Sequence, residues 1–362
     1  MFFDQVSMIQ FTISMLVVGS ASALTSSKDC VKPGQCVPPS DYKYVSGRNA
    51  IPRVQWGSEG GFCGSVSIQT IALTYGFWIS QDLVRKATPD NGQGGHGNPD
   101  DGYEVLHTNI EDGLDNLGIT YNSWDWENEV HPQGSNYLRW LKSELLNDHG
   151  VVQFILCKGD AHSCYDGSAY DHIEPFFKLY SNHDLSDPTV YPDDYVVHGS
   201  DYAPDGKMNL GYFRNFSSLL DNTDMEGNCK DAQPGWGYNE MYPCIYDDIS
   251  YGYSITGLAD ANTQTLPLSL YVNSTEEPNI RQHKPPSLLQ GQIIVSGLTE
   301  GVSYSVYRWD DYTSFPRNGE YENSPFTSKF EFVATEKSYE YFDETLFLSS
   351  GSVIFRCVPF IA

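Results

Sequence analysis

Trp56-Gly57-Ser58-Glu59-Gly60-Gly61-Phe62-Cys63-Gly64-Ser65-Val66-Ser67-Ile68-Gln69-Thr70-Ile71-Ala72 is the stretch on which the reading of this chain turns. A Gly-Gly approach ends at one cysteine. Behind it Val66, Ile68, Ile71, Ala72 and Leu73 form a broad apolar stripe, which predicts a helix that starts at Cys63 and stops near Gly76. The first turn of a helix favours an anion, because its backbone N–H groups lack intrahelical partners and the peptide dipoles present their positive end there. Neighbouring glycines let a substrate backbone come close. Thiolate is the nucleophilic form of cysteine, so this position meets the requirements of a nucleophile. The competing reading is a buried structural cysteine or half of a disulfide.

Working outward, residues 1–23 read as a secretory signal, with a mostly apolar Met8–Val18 and the small residues Ala21-Ser22-Ala23 for cleavage. Residues 24–46 read as an irregular N-terminal segment rich in proline and cysteine. After the cysteine helix, Ser80 is placed to cap a short helix over residues 81–86. Helical spacing recurs over Tyr103–Leu117, with Gly118 as its stop, and over Tyr137–Asn147. The period then changes, and Val151–Cys157, His172–Tyr180 and Tyr195–His198 read as strands. Helices followed by strands over residues 47–264 suggest an α+β domain. From 265 to 362 short alternating runs separated by turn residues suggest a β-sandwich. Within it Val295–Tyr304 resembles the loop-and-strand segment of fibronectin type III-like modules.

Attack of a thiol on an acyl carbon needs a base, a group to orient that base, and donors for the developing oxyanion. Among nine histidines the preferred base is His172, which opens an apolar strand and is therefore better positioned than His96, His162 or His183 in loops. His107 and His149 fall within or at the end of expected helices. Asp201, just past the next apolar run, is the candidate orienting group, with Glu174 and His198 as alternatives. The backbone N–H groups at Cys63 and Gly64, with the Gln55 side-chain amide, are the candidate oxyanion donors.

These residues resemble the papain-like clan of cysteine peptidases, and within it the bacteriocin-processing type, whose motif is a Gln, a spacer, then Cys-Gly-x-small-x-aliphatic. Cys63-Gly64-Ser65-Val66-Ser67-Ile68 fits that motif, and His172 and Asp201 stand in the order of the family's later elements. The resemblance covers roughly residues 50 to 205. It implies helices packed on an antiparallel sheet and a Cys-His-Asp hydrolase acting on a peptide or amide through an acyl-enzyme thioester.

Composition narrows the alternatives. A formal charge of -26, from 21 Lys and Arg against 47 Asp and Glu, leaves no basic surface for nucleic acid and suits a secreted protein. Eight cysteines suggest disulfides, with Cys30–Cys36, Cys157–Cys164 and Cys229–Cys244 as close pairs. That leaves Cys63 and Cys357, whose mutual pairing would end the catalytic reading. Asn215-Phe216-Ser217 and Asn273-Ser274-Thr275 match the acceptor triplet for glycosylation in a host that glycosylates. No cofactor fingerprint or metal-ligand spacing is present, and His96, Asp100 and Asp101 read as a solvated turn. No membrane span is expected once the signal is cleaved. Two other functions fit the same residues: acyl transfer to an amine or thiol, and a non-catalytic adhesion module that binds protein or carbohydrate through its 25 tyrosines and C-terminal strands.

Overall fold

The computed structural model describes residues 42–50, 52–53, 55–56, 61–90, 97–125, 128, 133–155, 172–199, 211–215, 252–273 and 287–360. Strand β1 (Tyr44–Gly47) precedes helix α1 (Cys63–Ala72), which tightens into a 3-10 turn over Leu73–Tyr75. Then come β2 (Phe77–Ile79) and α2 (Gln81–Ala87). The short strands β3 (Gly97–Asn98) and β4 (Gly102–Tyr103) lead to α3 (Ile110–Leu117), β5 (Ile119–Ser123) and α4 (Gln133–Leu146). Strands β6 (Gly150–Ile155), β7 (His172–Ser181), β8 (Tyr195–Gly199), β9 (Gly211–Asn215) and β10 (Gly252–Leu258) follow. The chain then runs through β11 (Leu268–Asn273), β12 (Leu288–Ser296), β13 (Ser303–Trp309), β14 (Ser328–Val333), β15 (Ser338–Leu348) and β16 (Ser352–Pro359). The fold is α+β, with antiparallel sheets throughout. Among the described residues no helix is long and apolar enough to cross a membrane. Residues 1–23, read above as a secretory signal, lie outside them.

Local chemistry explains most boundaries. Gly76, at φ +74°, ends the first helix in the left-handed conformation that glycine adopts without strain. The Ser80 hydroxyl accepts from the Leu83 N–H at 3.1 Å and caps α2. Two expectations are corrected. The helix expected from Tyr103 begins only at Ile110, because Asn109 holds the preceding residues in a turn. Its Oδ1 accepts from Leu106 N at 2.7 Å, and its Nδ2 donates to Glu104 O at 3.0 Å and Pro89 O at 3.1 Å. The N-terminal segment expected to stay irregular through Ser46 becomes a strand at Tyr44. Tyr44 and Val45 are exposed, so no alternation of burial announces it.

The larger sheet runs β5-β10-β6-β7-β8-β9, and β1 pairs with the far half of β7, Lys178 to Ser181, beyond the reach of β6. Pro175 has no N–H to give a ladder. The register of β7 with β8 begins only at Phe176, so Pro175 sits opposite Val152 of β6 and is paired on that side alone. Two further sheets, β11-β12-β15 and β14-β13-β16-β2, share a core that includes Trp78, Leu270, Ile293, Val306 and Phe355. Strand β2 reaches this core from the segment just after α1, pairing Phe77, Trp78 and Ile79 with Ile354, Val353 and Ser352. Strand pairing thus crosses position 264/265.

Helix α4 is tied to the larger sheet by a buried carboxylate. Glu144 Oε2 lies 2.6 Å from Ser254 Oγ, 2.7 Å from His149 Nδ1 and 3.3 Å from Asn122 Nδ2. Burial alone would raise this carboxyl, but hydrogen bonds from His149, Ser254 and Asn122 outweigh it and hold the group below its ordinary 4.5. A carboxyl depressed in the folded state adds stability above its unfolded value, and that stability is lost as pH falls through the folded value. Denaturant titrations of wild type and Glu144→Gln should therefore differ by about 1–3 kcal/mol at pH 7. The gap should narrow below pH 4.5, and a gap that did not depend on pH would contradict the assignment.

Candidate functional site

Cys63 is the first residue of α1 and its thiol is free. Cys357 is also free, buried in the other core, where burial pushes its thiol up to about 12. The competing Cys63–Cys357 disulfide is therefore not formed. The other six cysteines lie outside the described residues. Phe62 caps α1, and its carbonyl accepts from Val66 N at 2.9 Å. The helical ladder begins with that bond, so the N–H groups of Cys63, Gly64 and Ser65 precede it. Gly61 takes φ +76°, which brings the chain sharply into the helix.

Gly64 is required by packing. A Cβ there would lie 2.6 Å from Val105 Cβ and 2.9 Å from Ile173 Cδ1. The first turn of α1 is therefore pressed between the 104–109 turn and the start of β7. Ser67 adds a polar tie: its Oγ is 2.8 Å from the Cys63 carbonyl and 3.3 Å from that of Ile173. The Cys63 residue itself is only 6% exposed.

Two buried polar groups fix the approach to Cys63. The Arg85 guanidinium on α2 donates to Gly61 O, reaches Gly102 O at 3.4 Å and lies 4.4 Å from the Phe62 ring centre. Burial pulls Arg85 below its ordinary value, and interaction with Glu104, Asp82, Cys63 and Asp101 opposes that shift. A glutamine relay holds the other side. Trp56 N donates to Gln81 Oε1 at 3.0 Å, Gln81 Nε2 to Gln69 Oε1 at 3.1 Å, and Gln69 Nε2 to Ile79 O at 2.6 Å. This relay anchors the residue after Gln55, which is itself half-buried.

The backbone of His172 opens β7 opposite Ile155 and next to Ile173, the residue against Gly64. Its imidazole, the His198 side chain and all of Asp201 lie outside the described residues. The alternative orienting group Glu174 is the third residue of β7. It pairs with Gln153, whose Oε1 accepts the Tyr137 hydroxyl from α4. Cross-strand partners share a face. Glu174, fully buried, therefore belongs to the α4 side of the sheet, away from α1.

Sequence reading missed Arg85, because nothing in a short amphipathic helix marks which cation will reach the Gly-Gly turn. It also placed His107 inside a helix. His107 instead stands in the turn before α3, two residues from the Val105 that packs on Gly64. Asp100 and Asp101 sit in an exposed turn, where both N–H groups donate to Asn98 Oδ1 at 2.9 and 3.1 Å. Compared with protein-family models, curated proteins and solved structures, the chain matches none of them.

Proposed function

We propose that this chain is a secreted cysteine hydrolase cleaving a peptide or amide bond, built as a papain-like domain followed by a β-sandwich. The observation that supports it is a free thiol at the first residue of a helix whose opening turn abuts the strand begun by His172. Cys63 Sγ attacks the acyl carbon while His172 takes the thiol proton. Gln55 and the backbone N–H groups of the first turn hold the oxyanion. The C–N bond then breaks, the imidazolium gives its proton to the leaving amine, and water cleaves the thioester. Asp201 orients the imidazole.

Regular alternation would carry residue 172 to the face of Glu174, so the base role requires the first residue of β7 to depart from it. A second assignment therefore has its own support: His107, on the segment whose Val105 packs against the first turn of α1. The test is alkylation of the folded protein by iodoacetamide, mapped to the Cys63 peptide, alongside cleavage of a fluorogenic amide panel. Cys63→Ala should abolish both with the circular dichroism spectrum unchanged. His172→Ala should lower the cleavage rate by at least about 100-fold. A loss in His107→Ala alone would move the base there. Undiminished cleavage in Cys63→Ala would end the proposal, and an added amine trapped in the product would turn it towards acyl transfer.

A further inference from the structure

At the opposite end of β7, about 30 Å of strand from His172, a second group of ligating side chains converges. His183 Nε2 is 2.9 Å from Asp193 Oδ1, and one ligating atom each of His183, Asp193 and Asp194 lies within 4.8 Å of the other two. Asp194 is fully buried. Its Oδ2 is taken by Lys142 Nζ at 2.7 Å and by Tyr191 N at 3.2 Å, whereas its Oδ1 receives no hydrogen bond. A buried carboxylate oxygen without a donor is costly unless something else satisfies it.

We propose that His183 Nε2, Asp193 Oδ1 and Asp194 Oδ1 bind one divalent cation. One imidazole and two carboxylates suit an ion of the zinc or manganese type, held at about 2.0–2.2 Å with water completing its shell. Charge agrees with this. Lys142 offsets one of the two carboxylates, so the cluster keeps a net negative charge for the ion to neutralise. The Tyr42 hydroxyl donates to Asp193 O at 3.1 Å. His183 is held in place by Tyr191, whose ring stacks on the imidazole at 3.5 Å. The ion would pin the two ends of the connection between β7 and β8 to each other, a structural role that does not depend on the catalytic reading.

The experiment is equilibrium binding of Mn2+, read by electron paramagnetic resonance, to the full chain stripped with a chelator. Manganese is chosen because thiolates favour softer ions. Calcium competition and a thermal melt accompany it. One equivalent of Mn2+ should bind, displaced poorly by Ca2+, and should raise the melting midpoint. His183→Ala, His183→Gln and Asp193→Ala act on partly exposed side chains that the fold can lose, and each should weaken binding at least tenfold and remove the thermal shift. Absence of saturable binding below about 1 mM, or binding unchanged in all three variants, would overturn the proposal; by ordinary affinity arithmetic 1 mM corresponds to about 4 kcal/mol.

Discussion

Lys142→Met is expected to destabilise the protein by about 3–5 kcal/mol, because it leaves a buried carboxylate without its counter-charge. Lys142 and Asp194 are both fully buried, with Nζ and Oδ2 2.7 Å apart. The same Nζ reaches Thr189 O at 2.5 Å and lies 5.0 Å from the Tyr191 ring centre. The ammonium joins α4 to the connection between β7 and β8, and methionine fills its volume without its charge. The size of the loss comes from the unpaired charge, since a matched ion pair often does no better than apolar packing. The double variant Lys142→Met/Asp194→Asn should therefore recover a large part of the stability. Urea unfolding of the metal-free protein measures this as a lower midpoint at unchanged slope. A double variant no more stable than the single one would show that packing, and not charge, is responsible.

Arg85→Met should slow alkylation of Cys63 by about 10- to 100-fold and cost about 2–4 kcal/mol, as expected for losing a charge-assisted bond to a buried carbonyl. Arg85 holds three features of the approach together: Gly61 O, Gly102 O and the face of Phe62. Methionine would leave the Gly61 carbonyl without its donor and free the turn that sets Cys63 at the head of α1. Arg85→Lys should restore only part of the rate, because an ammonium lacks the planar fork that serves two carbonyls at once. The measurement is a pseudo-first-order alkylation rate on folded protein, with the far-ultraviolet spectrum as control. An unchanged rate in Arg85→Met would remove Arg85 from the site and leave it a purely structural cation.

Sequence carried the local devices and lost the distant ones. Ser80, Gly76 and Gly118 act within a few residues of themselves, so the helices they bound could be read directly. Asn109 also acts locally, but through three backbone partners that no spacing rule anticipates, and the start of α3 was hidden as a result. Strand β10 lies in a stretch with little pattern of its own and becomes a strand by entering between β5 and β6. The first turn of α1 was legible because Cys63, its glycines and its helix are contiguous. Arg85 and the Val105–His107 segment were not, since they are brought to Cys63 only by packing.

The edge strand Phe77–Ile79 carries a last implication, for the order of events at the ribosome. Its hydrogen-bonded neighbour is Ser352–Ile354, about 275 residues later in the sequence, and Trp78 sits in the core those late strands build. Synthesis runs from the N-terminus, so this strand emerges long before its partner. The residues that follow the cysteine helix must therefore wait, unpaired, until that partner has been made, and so long a separation of contacts slows the closing step.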